Sequence, residues 1–134
     1  MIAVDSSAIL AIILEEPDAA TFATQLHADD DPRITVASVL ECLIVLRGKS
    51  GITAGQLDGW FDGFARDANL TFEPVSLKQF QVARVAYLQY GKGTGHGAAL
   101  NFGDCFSYAL AKSLNAPLLY KGNDFAKTDI VSAV

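Results

Sequence analysis

Short apolar runs alternate with longer segments of helical periodicity along this chain. The runs predict buried strands at residues 1–4, 34–36, 70–75, 117–120 and 129–131. In the longer segments, apolar residues recur at helical spacing, and capping residues or glycines mark the ends. These segments predict helices from Ser6 or Ser7 to about Glu16, from Ser38 to about Arg47, from Thr53 to Asp67, from Ser76 through Tyr90 and from Gly103 to Leu114. Strands that alternate with helices predict an α/β domain with a mainly parallel sheet.

The length and composition predict one soluble globular domain covering residues 1–134. Of the 134 residues, 51% are apolar and 19% are charged, which argues against a disordered chain. The longest apolar stretch, residues 8–14, is far shorter than the ~20 residues that cross a bilayer. Asp5 precedes it, where a secretory signal carries Lys or Arg. We therefore expect a cytoplasmic protein that does not enter a membrane.

The charge is distributed unevenly between the first 31 residues and the rest of the chain. Fifteen acidic and ten basic residues give a net charge of −5, which argues against binding nucleic acid through bulk electrostatics. Residues 1–31 hold seven of the acids and none of the Lys or Arg residues. The remaining ten basic and eight acidic residues give +2, so a local basic rim beside an acidic pocket stays compatible with the total.

The two cysteines, Cys42 and Cys105, lie in apolar, helix-like stretches. We expect both to be reduced core residues, because two cysteines in a cytosolic chain form no disulfide framework. We expect no zinc site, since His27 and His96 have no Cys or His partners at ligand spacing.

Four acidic side chains fall at predicted junctions between strands and helices. They are Asp5, Glu41, Asp104 and Asp124. In parallel sheets, ligand sites form beyond the carboxyl ends of the strands, so these carboxylates can share one end of the sheet. Each also has a purely structural interpretation. Asp5 ends a strand, Glu41 pairs with Ser38 in a capping box, Asp104 caps a helix and Asp124 occupies a turn.

A cluster of these four carboxylates would require a counter-charge. Glu41 stands among apolar neighbours, where carboxylates are rare unless paired, and no nearby Lys or Arg is an obvious partner for all four. Two carboxylates ~4 Å apart repel by roughly 4 kcal/mol at an effective dielectric constant of ~20. A cation or shared protons would offset this repulsion, and all-oxygen ligands favour Mg²⁺ or Mn²⁺. Such a cation activates water beside a phosphate, which points to phosphodiester hydrolysis.

Five stretches of the sequence carry a family resemblance and span almost the whole chain. They are residues 1–8 (MIAVDSSA), 37–41 (ASVLE), 100–111 (LNFGDCFSYALA), 117–125 (PLLYKGNDF) and 128–130 (TDI). In this order they resemble PIN-domain ribonucleases, specifically the VapC-type toxins of type II toxin–antitoxin systems. The opening stretch alone is weakly diagnostic, whereas NFGDCF with KGNDF downstream is specific.

The resemblance implies a PIN-like three-layer α/β/α domain with a central, mainly parallel sheet. It implies one Mg²⁺ site lined by Asp5, Glu41, Asp104 and Asp124, in which Asp5 and Asp104 are the direct ligands and Asp124 is the more variable acid. Ser6 matches a hydroxyl position that supports this site. The implied activity is endoribonuclease cleavage of structured RNA, often tRNA or ribosomal RNA. The implied partners are a small VapB-like antitoxin and a second copy of the chain.

The glycine-rich loop and several basic residues leave two interpretations open. Residues 91–97 form either a flexible surface loop or a loop facing the substrate, with Lys92 offered to RNA phosphates. Lys121 belongs either to a basic rim, with Arg47, Lys49 and Lys112, or to isolated surface charges. His96 is interpreted as a polar loop residue rather than a general base.

Two other classes of function stay open from the residues alone. A Mg²⁺-binding phosphotransfer or phosphatase domain also gathers acids on an α/β sheet, and Lys121 would supply its lysine. That class needs a phosphorylatable Asp at a central strand end, for which Asp5 is the candidate. The second class is a module that binds RNA or an antitoxin without cleaving RNA.

Overall fold

The computed structural model describes residues 1–51 and 53–134. In these residues the chain forms four strands and six α-helices. Their bounds in chain order are β1 Ile2–Val4, α1 Ser6–Ile13, α2 Ala19–Ala28, β2 Pro32–Thr35, α3 Val36–Ser50, α4 Ala54–Asp67, β3 Thr71–Glu73, α5 Leu77–Tyr90, α6 Phe102–Leu114 and β4 Leu118–Leu119. A short 3₁₀ helix at Phe125–Lys127 follows β4.

The four strands form one parallel sheet in the order β3-β2-β1-β4. This arrangement places the carboxyl ends of all four strands at one edge, with β1 between β2 and β4. The strand predicted at residues 129–131 is wrong. A single bridge joins Leu118 to Ser132 instead, and the Leu118 N–H donates to the Val131 carbonyl at 2.9 Å.

Helices cover both faces of the sheet. Along β1, Ile2 and Val4 belong to one apolar core and Ala3 to another, as the alternation of a strand requires. The first core also collects buried residues of α1 to α4, whereas the second collects those of α5 and α6. The predicted three-layer α/β/α architecture with a parallel sheet is therefore confirmed.

The helix predicted from Ser38 begins two residues earlier, at Val36, with Thr35 as its cap. The Thr35 hydroxyl accepts the Ser38 N–H at 3.1 Å. Ser38 is therefore not the cap, and the interpretation of Glu41 as its capping-box partner is wrong. The helix ends at Gly51, whose left-handed φ of 68° costs glycine little because it has no Cβ.

Helix α2 was not predicted from the sequence. Its buried side chains are Phe22 and Leu26, and Asp18 precedes it without a side-chain cap hydrogen bond. Two apolar residues one turn apart give too weak a periodic signal to identify a helix. By contrast, α4, α5 and α6 begin within one residue of their predicted starts.

Within the described ranges, no helix combines the length and the apolar character needed to cross a bilayer. Cys42 and Cys105 are free and buried, as predicted. They belong to opposite faces of the sheet, because Cys42 lies in the first core and Cys105 in the second.

Candidate active site

The four acidic side chains stand at the edge of the sheet formed by the carboxyl ends of the strands. Asp5 follows β1 directly, Glu41 lies in α3 after β2, and Asp124 follows β4. Asp104 lies in the first turn of α6, which packs against β1, β2 and α3. Because the strands are parallel, the segments that carry these acids lie at the same end of the sheet.

Asp5 is 4% exposed and accepts hydrogen bonds on both carboxylate oxygens. Its Oδ2 accepts the Ser7 N–H at 3.0 Å and the Ser7 hydroxyl at 2.6 Å, so Asp5 caps α1 in place of Ser6 or Ser7. Its Oδ1 accepts the Ser107 hydroxyl at 2.5 Å. The Lys121 N–H donates to Ser7 Oγ at 3.0 Å and ties the segment after β4 to the same carboxylate.

Ser107 leads into a buried chain of hydroxyl groups. Its Oγ lies 3.2 Å from Ser38 Oγ, to which Thr35 Oγ1 donates at 3.1 Å. All three residues are buried. These three hydroxyl groups were not among the predicted site residues. They could have been found from helical spacing. Ser38 lies three residues before Glu41, and Ser107 lies three residues after Asp104, so each hydroxyl shares a helix face with a candidate acid.

Glu41 is half-buried on α3, and its Oε1 accepts a hydrogen bond from the Ser6 hydroxyl. Gly103 of α6 lies against the other oxygen. A Cβ at position 103 would stand 2.5 Å from Glu41 Oε2. The missing side chain of this glycine therefore makes room for the carboxylate.

Asp104 forms a capping box in which Asn101 is the N-cap and Asp104 is the third residue of the helix, so it contributes to the helix cap as one of its two interpretations expects. Asp104 Oδ2 accepts the Asn101 N–H at 3.0 Å, and Asn101 Oδ1 accepts the Asp104 N–H at 2.9 Å. Burial nevertheless raises the pKa of Asp104 to about 7, and the charges of Asp5, Asp124 and Glu41 add to this rise. The four carboxylates are therefore electrostatically coupled.

In residues 1–51 and 53–134, none of the four carboxylates takes part in an ion pair. The ion pairs there use other acids, namely Glu16, Asp18, Asp29, Asp31, Glu73 and Asp129. Asp124 is exposed and makes no side-chain cap hydrogen bond to the 3₁₀ helix that follows it. The carboxylates thus form a region of negative charge without a lysine or arginine partner in the described part of the chain.

The carboxylates do not form a preassembled cage. Across the described residues, no group of three His, Cys, Asp or Glu side chains is arranged to hold a metal ion. Asp5, Glu41 and Asp104 instead each accept hydrogen bonds from protein donors. The four acids thus lie close enough for their charges to interact, but their oxygens do not converge on one point as metal ligands do.

Two of the basic residues predicted around the site are engaged in ion pairs. Lys121 Nζ lies 2.6 Å from Glu16 Oε2 and 3.1 Å from Asp18 Oδ1. Lys112 Nζ lies 2.8 Å from Asp129 Oδ2. These ammonium groups form ion pairs with acids of other segments, so they are not available to bind a phosphate.

The loop at residues 91–97 presents an exposed Lys92, whose N–H donates to the Leu100 carbonyl at 2.9 Å. His96 Nδ1 accepts the Ala98 N–H at 3.0 Å. That hydrogen bond gives His96 a role within the loop.

Comparison with known proteins identifies relatives along almost the whole chain. The model of the PIN domain family matches residues 2–131. The chain is 45% identical over 131 residues to Ribonuclease VapC28 of Mycobacterium tuberculosis, covering 98% of this chain and 96% of that protein. It is 42% identical over 130 residues to Ribonuclease VapC of Mycolicibacterium smegmatis, covering 96% and 97%.

Solved structures share the fold at low sequence identity. One belongs to a toxin–antitoxin complex from Klebsiella pneumoniae, with a TM-score of 0.71 at 13% identity over 100% of this chain and 98% of that one. Another is Mycobacterium tuberculosis VapC20, described as a sarcin–ricin loop cleaving toxin, with a TM-score of 0.71 at 15% identity, covering 98% and 97%.

Proposed function

This chain belongs to the PIN-domain family and, within it, to the VapC ribonucleases, and we propose that it cleaves RNA at the acidic edge of its sheet. Its activity is that of a toxin endoribonuclease. The observation that supports this site is the placement of four acids at the carboxyl ends of the parallel strands, where burial and the charges of the other three raise the pKa of Asp104. A carboxyl group in that position favours a cation beside it.

We propose Mg²⁺ as that cation, with Mn²⁺ as a substitute. The donor set fits, because it consists of carboxylate oxygens without His or Cys, the ligands that these hard cations prefer. Asp5 and Asp104 would hold the ion, and Glu41 and Asp124 would complete the site directly or through water. When bound, the cation would lower the pKa of water and stabilise charge on the phosphate.

Other side chains hold these carboxylates in place or orient water. Ser7 and Ser107 hold the buried Asp5 carboxylate. Ser6 and Gly103 fix the position of the Glu41 carboxylate, which would orient the attacking water and accept its proton. Asp124, exposed at the mouth of the site, orients water from the solvent side.

We propose that the substrate is a structured RNA such as tRNA or ribosomal RNA, cleaved in the cytoplasm. The net charge of −5 repels a polyanion, so the RNA has to be held by local basic groups. Lys92 in the loop and Arg47 and Lys49 at the end of α3 are exposed and suited to this role. Lys121 is not, because Glu16 and Asp18 already hold its ammonium group.

The same ion pairs argue against a phosphotransfer domain. Asp5 does follow a central strand, as that class requires. The lysine that would accompany a phosphorylated Asp5 is Lys121, and its Nζ is bound to Glu16 and Asp18. A non-cleaving binding module is disfavoured by relatives that are named ribonucleases.

We propose that a VapB-like antitoxin binds the groove between α3 and α4. Val36, Leu40 and Ile44 are exposed at intervals of four residues along α3, and the adjoining groove has a volume of about 440 Å³. An amphipathic helix fits such an apolar groove. Leu40 and Glu41 both belong to α3, and we propose that an occupant extending from the groove to the end of the sheet would block the substrate.

We propose that a second copy of the chain packs against the groove between α5 and α6, which has a volume of about 470 Å³. The groove is lined by Phe80, Ala83, Arg84, Tyr87, Phe102, Cys105 and Phe106. Phe80, Tyr87 and Phe102 are 40%, 49% and 81% exposed, and aromatic surface of this kind favours a protein interface.

The function is tested with Asp104→Asn, beside Asp62→Asn as the matched control on exposed surface of α4. Asparagine keeps an oxygen for the Asn101 N–H while removing the charge. Purified proteins would be incubated with total cellular RNA and Mg²⁺. We expect discrete fragments from the wild type and from Asp62→Asn, and none from Asp104→Asn. A folded Asp104→Asn protein with full activity would refute the proposed site.

A further inference from the structure

The hydrogen bonds around Asp5 run in one direction. Ser107 donates its hydroxyl proton to Asp5 Oδ1, so it can only accept from Ser38, which lies 3.2 Å away. Ser38 in turn accepts from Thr35 Oγ1 at 3.1 Å. Each hydroxyl therefore donates toward Asp5, and the bonds of such a buried chain polarise one another.

A second, shorter chain reaches the other oxygen of Asp5. The Lys121 N–H donates to Ser7 Oγ at 3.0 Å, and Ser7 Oγ donates to Asp5 Oδ2 at 2.6 Å. The Ser7 N–H also donates to Oδ2, at 3.0 Å. A carboxylate has about four lone-pair positions, and these bonds occupy two on Oδ2 and one on Oδ1. Among the described residues, one acceptor position on Oδ1 therefore has no protein donor.

We propose that Ser107, supported by Ser38 and Thr35, is a positioning residue that fixes the Asp5 carboxylate in the orientation in which it would help to hold a divalent cation. This inference rests on the proposed function. Carboxylates that bind metal ions are commonly held by such outer hydrogen bonds, and removing one typically weakens metal binding about 10- to 100-fold. The chain is buried throughout, so water cannot readily replace a missing hydroxyl.

Helix α6 supplies its own control. Ser113 lies six residues after Ser107 in the same helix, and its buried hydroxyl has no hydrogen-bond partner among the described residues. Ser113→Ala therefore removes the same atom from the same helix without breaking a hydrogen bond. Ser38→Ala provides a second test, because the hydrogen bonds of the described residues link Ser38 to Asp5 through Ser107.

The experiment is a titration of each purified full-length protein with Mn²⁺ alone, in which the EPR signal reports the free ion and circular dichroism confirms folding. We expect Ser107→Ala to bind Mn²⁺ about 10- to 100-fold more weakly than the wild type. Ser38→Ala should show a smaller loss, and Ser113→Ala none.

Wild-type Mn²⁺ affinity in both Ser107→Ala and Ser38→Ala would overturn the proposal. An equal loss in Ser113→Ala would also overturn it, because the effect would then belong to the helix in general. Failure of the proposed function is seen separately, as absence of RNA cleavage by a wild type whose Mn²⁺ affinity still depends on Ser107.

Discussion

Replacing Gly103 by alanine should displace the Glu41 carboxylate and lower activity, while the fold stays stable. A Cβ at this position would lie 2.5 Å from Glu41 Oε2, whereas ordinary contact begins at 3.4 Å, so the carboxylate has to retreat by about 0.9 Å. That movement displaces the carboxylate from the position in which it accepts the hydrogen bond from Ser6, and at most it breaks this bond. Misplacing a reacting group by ~1 Å costs on the order of 100-fold in rate, and we expect Gly103→Ala to lose about that much activity.

The fold should survive this substitution, because the displaced carboxylate is the end of a flexible side chain. Alanine in a helix gains up to about 1 kcal/mol over glycine. Loss of a hydrogen bond to a charged group costs about 1.5–3 kcal/mol. The net destabilisation is about 3 kcal/mol or less, below the roughly 5–15 kcal/mol of a typical domain.

The assay compares initial rates of RNA cleavage at saturating Mg²⁺ with free energies of unfolding in urea. Gly59→Ala is the matched control, since Gly59 lies within helix α4 and a Cβ there would meet no atom within 4 Å. We expect this control to gain about 0.5–1 kcal/mol in stability and to keep the wild-type rate. A folded Gly103→Ala protein with the wild-type rate would refute the role given to Glu41.

Three further outcomes follow from the charges and the apolar surfaces. Because the pKa of Asp104 is raised from 3.8 to about 7, the native state binds this proton more tightly than the unfolded chain, and stability should fall as the pH rises through that interval. In chelator, we expect a loss of about 2 kcal/mol between pH 5 and pH 8 after solvent screening. Urea unfolding measures this loss, and an unchanged pH dependence in Asp104→Asn would contradict the assignment. Ile44→Asp should weaken binding of the cognate antitoxin at least tenfold in a direct binding assay, and should weaken its inhibition of cleavage. Val85→Asp, at an exposed apolar position on α5, should not. Equal antitoxin binding by the two variants would exclude the α3–α4 groove. Phe80→Asp should convert a dimer into a monomer, as measured by light scattering, because it would place an unpaired charge in the apolar interface. Leu88→Asp on the same helix should leave the mass unchanged, and a Phe80→Asp dimer would exclude the α5–α6 interface.

The sequence predicted correctly those elements whose boundaries are marked by residues adjacent in the chain. The strand ending at Val4 is short, apolar and followed by Asp5, and the capping residues Thr53 and Ser76 mark α4 and α5 correctly. Family membership was also recognised from residue patterns, and the relatives confirm it. These features depend on residues that are neighbours in the chain.

The missed features depend on contacts between distant residues. Thr35 competes with Ser38 for the α3 cap, and only the path of β2 decides between them. The hydrogen bond between Ser107 and Asp5 spans 102 positions, so no local pattern announces it. The ion pairs of Lys121 with Glu16 and Asp18 likewise join segments more than 100 positions apart. Candidate acids could therefore be named from the sequence, whereas the groups that hold them could not.

The central claim is that Asp5, Glu41, Asp104 and Asp124 form a cation-dependent ribonuclease site. The most direct measurement is cleavage of total cellular RNA by the wild-type protein in chelator, followed by addition of Mg²⁺ or Mn²⁺, with the fragment ends mapped. We expect no fragments in chelator and the same discrete set of ends after either metal is added. Undiminished cleavage in chelator would contradict the claim.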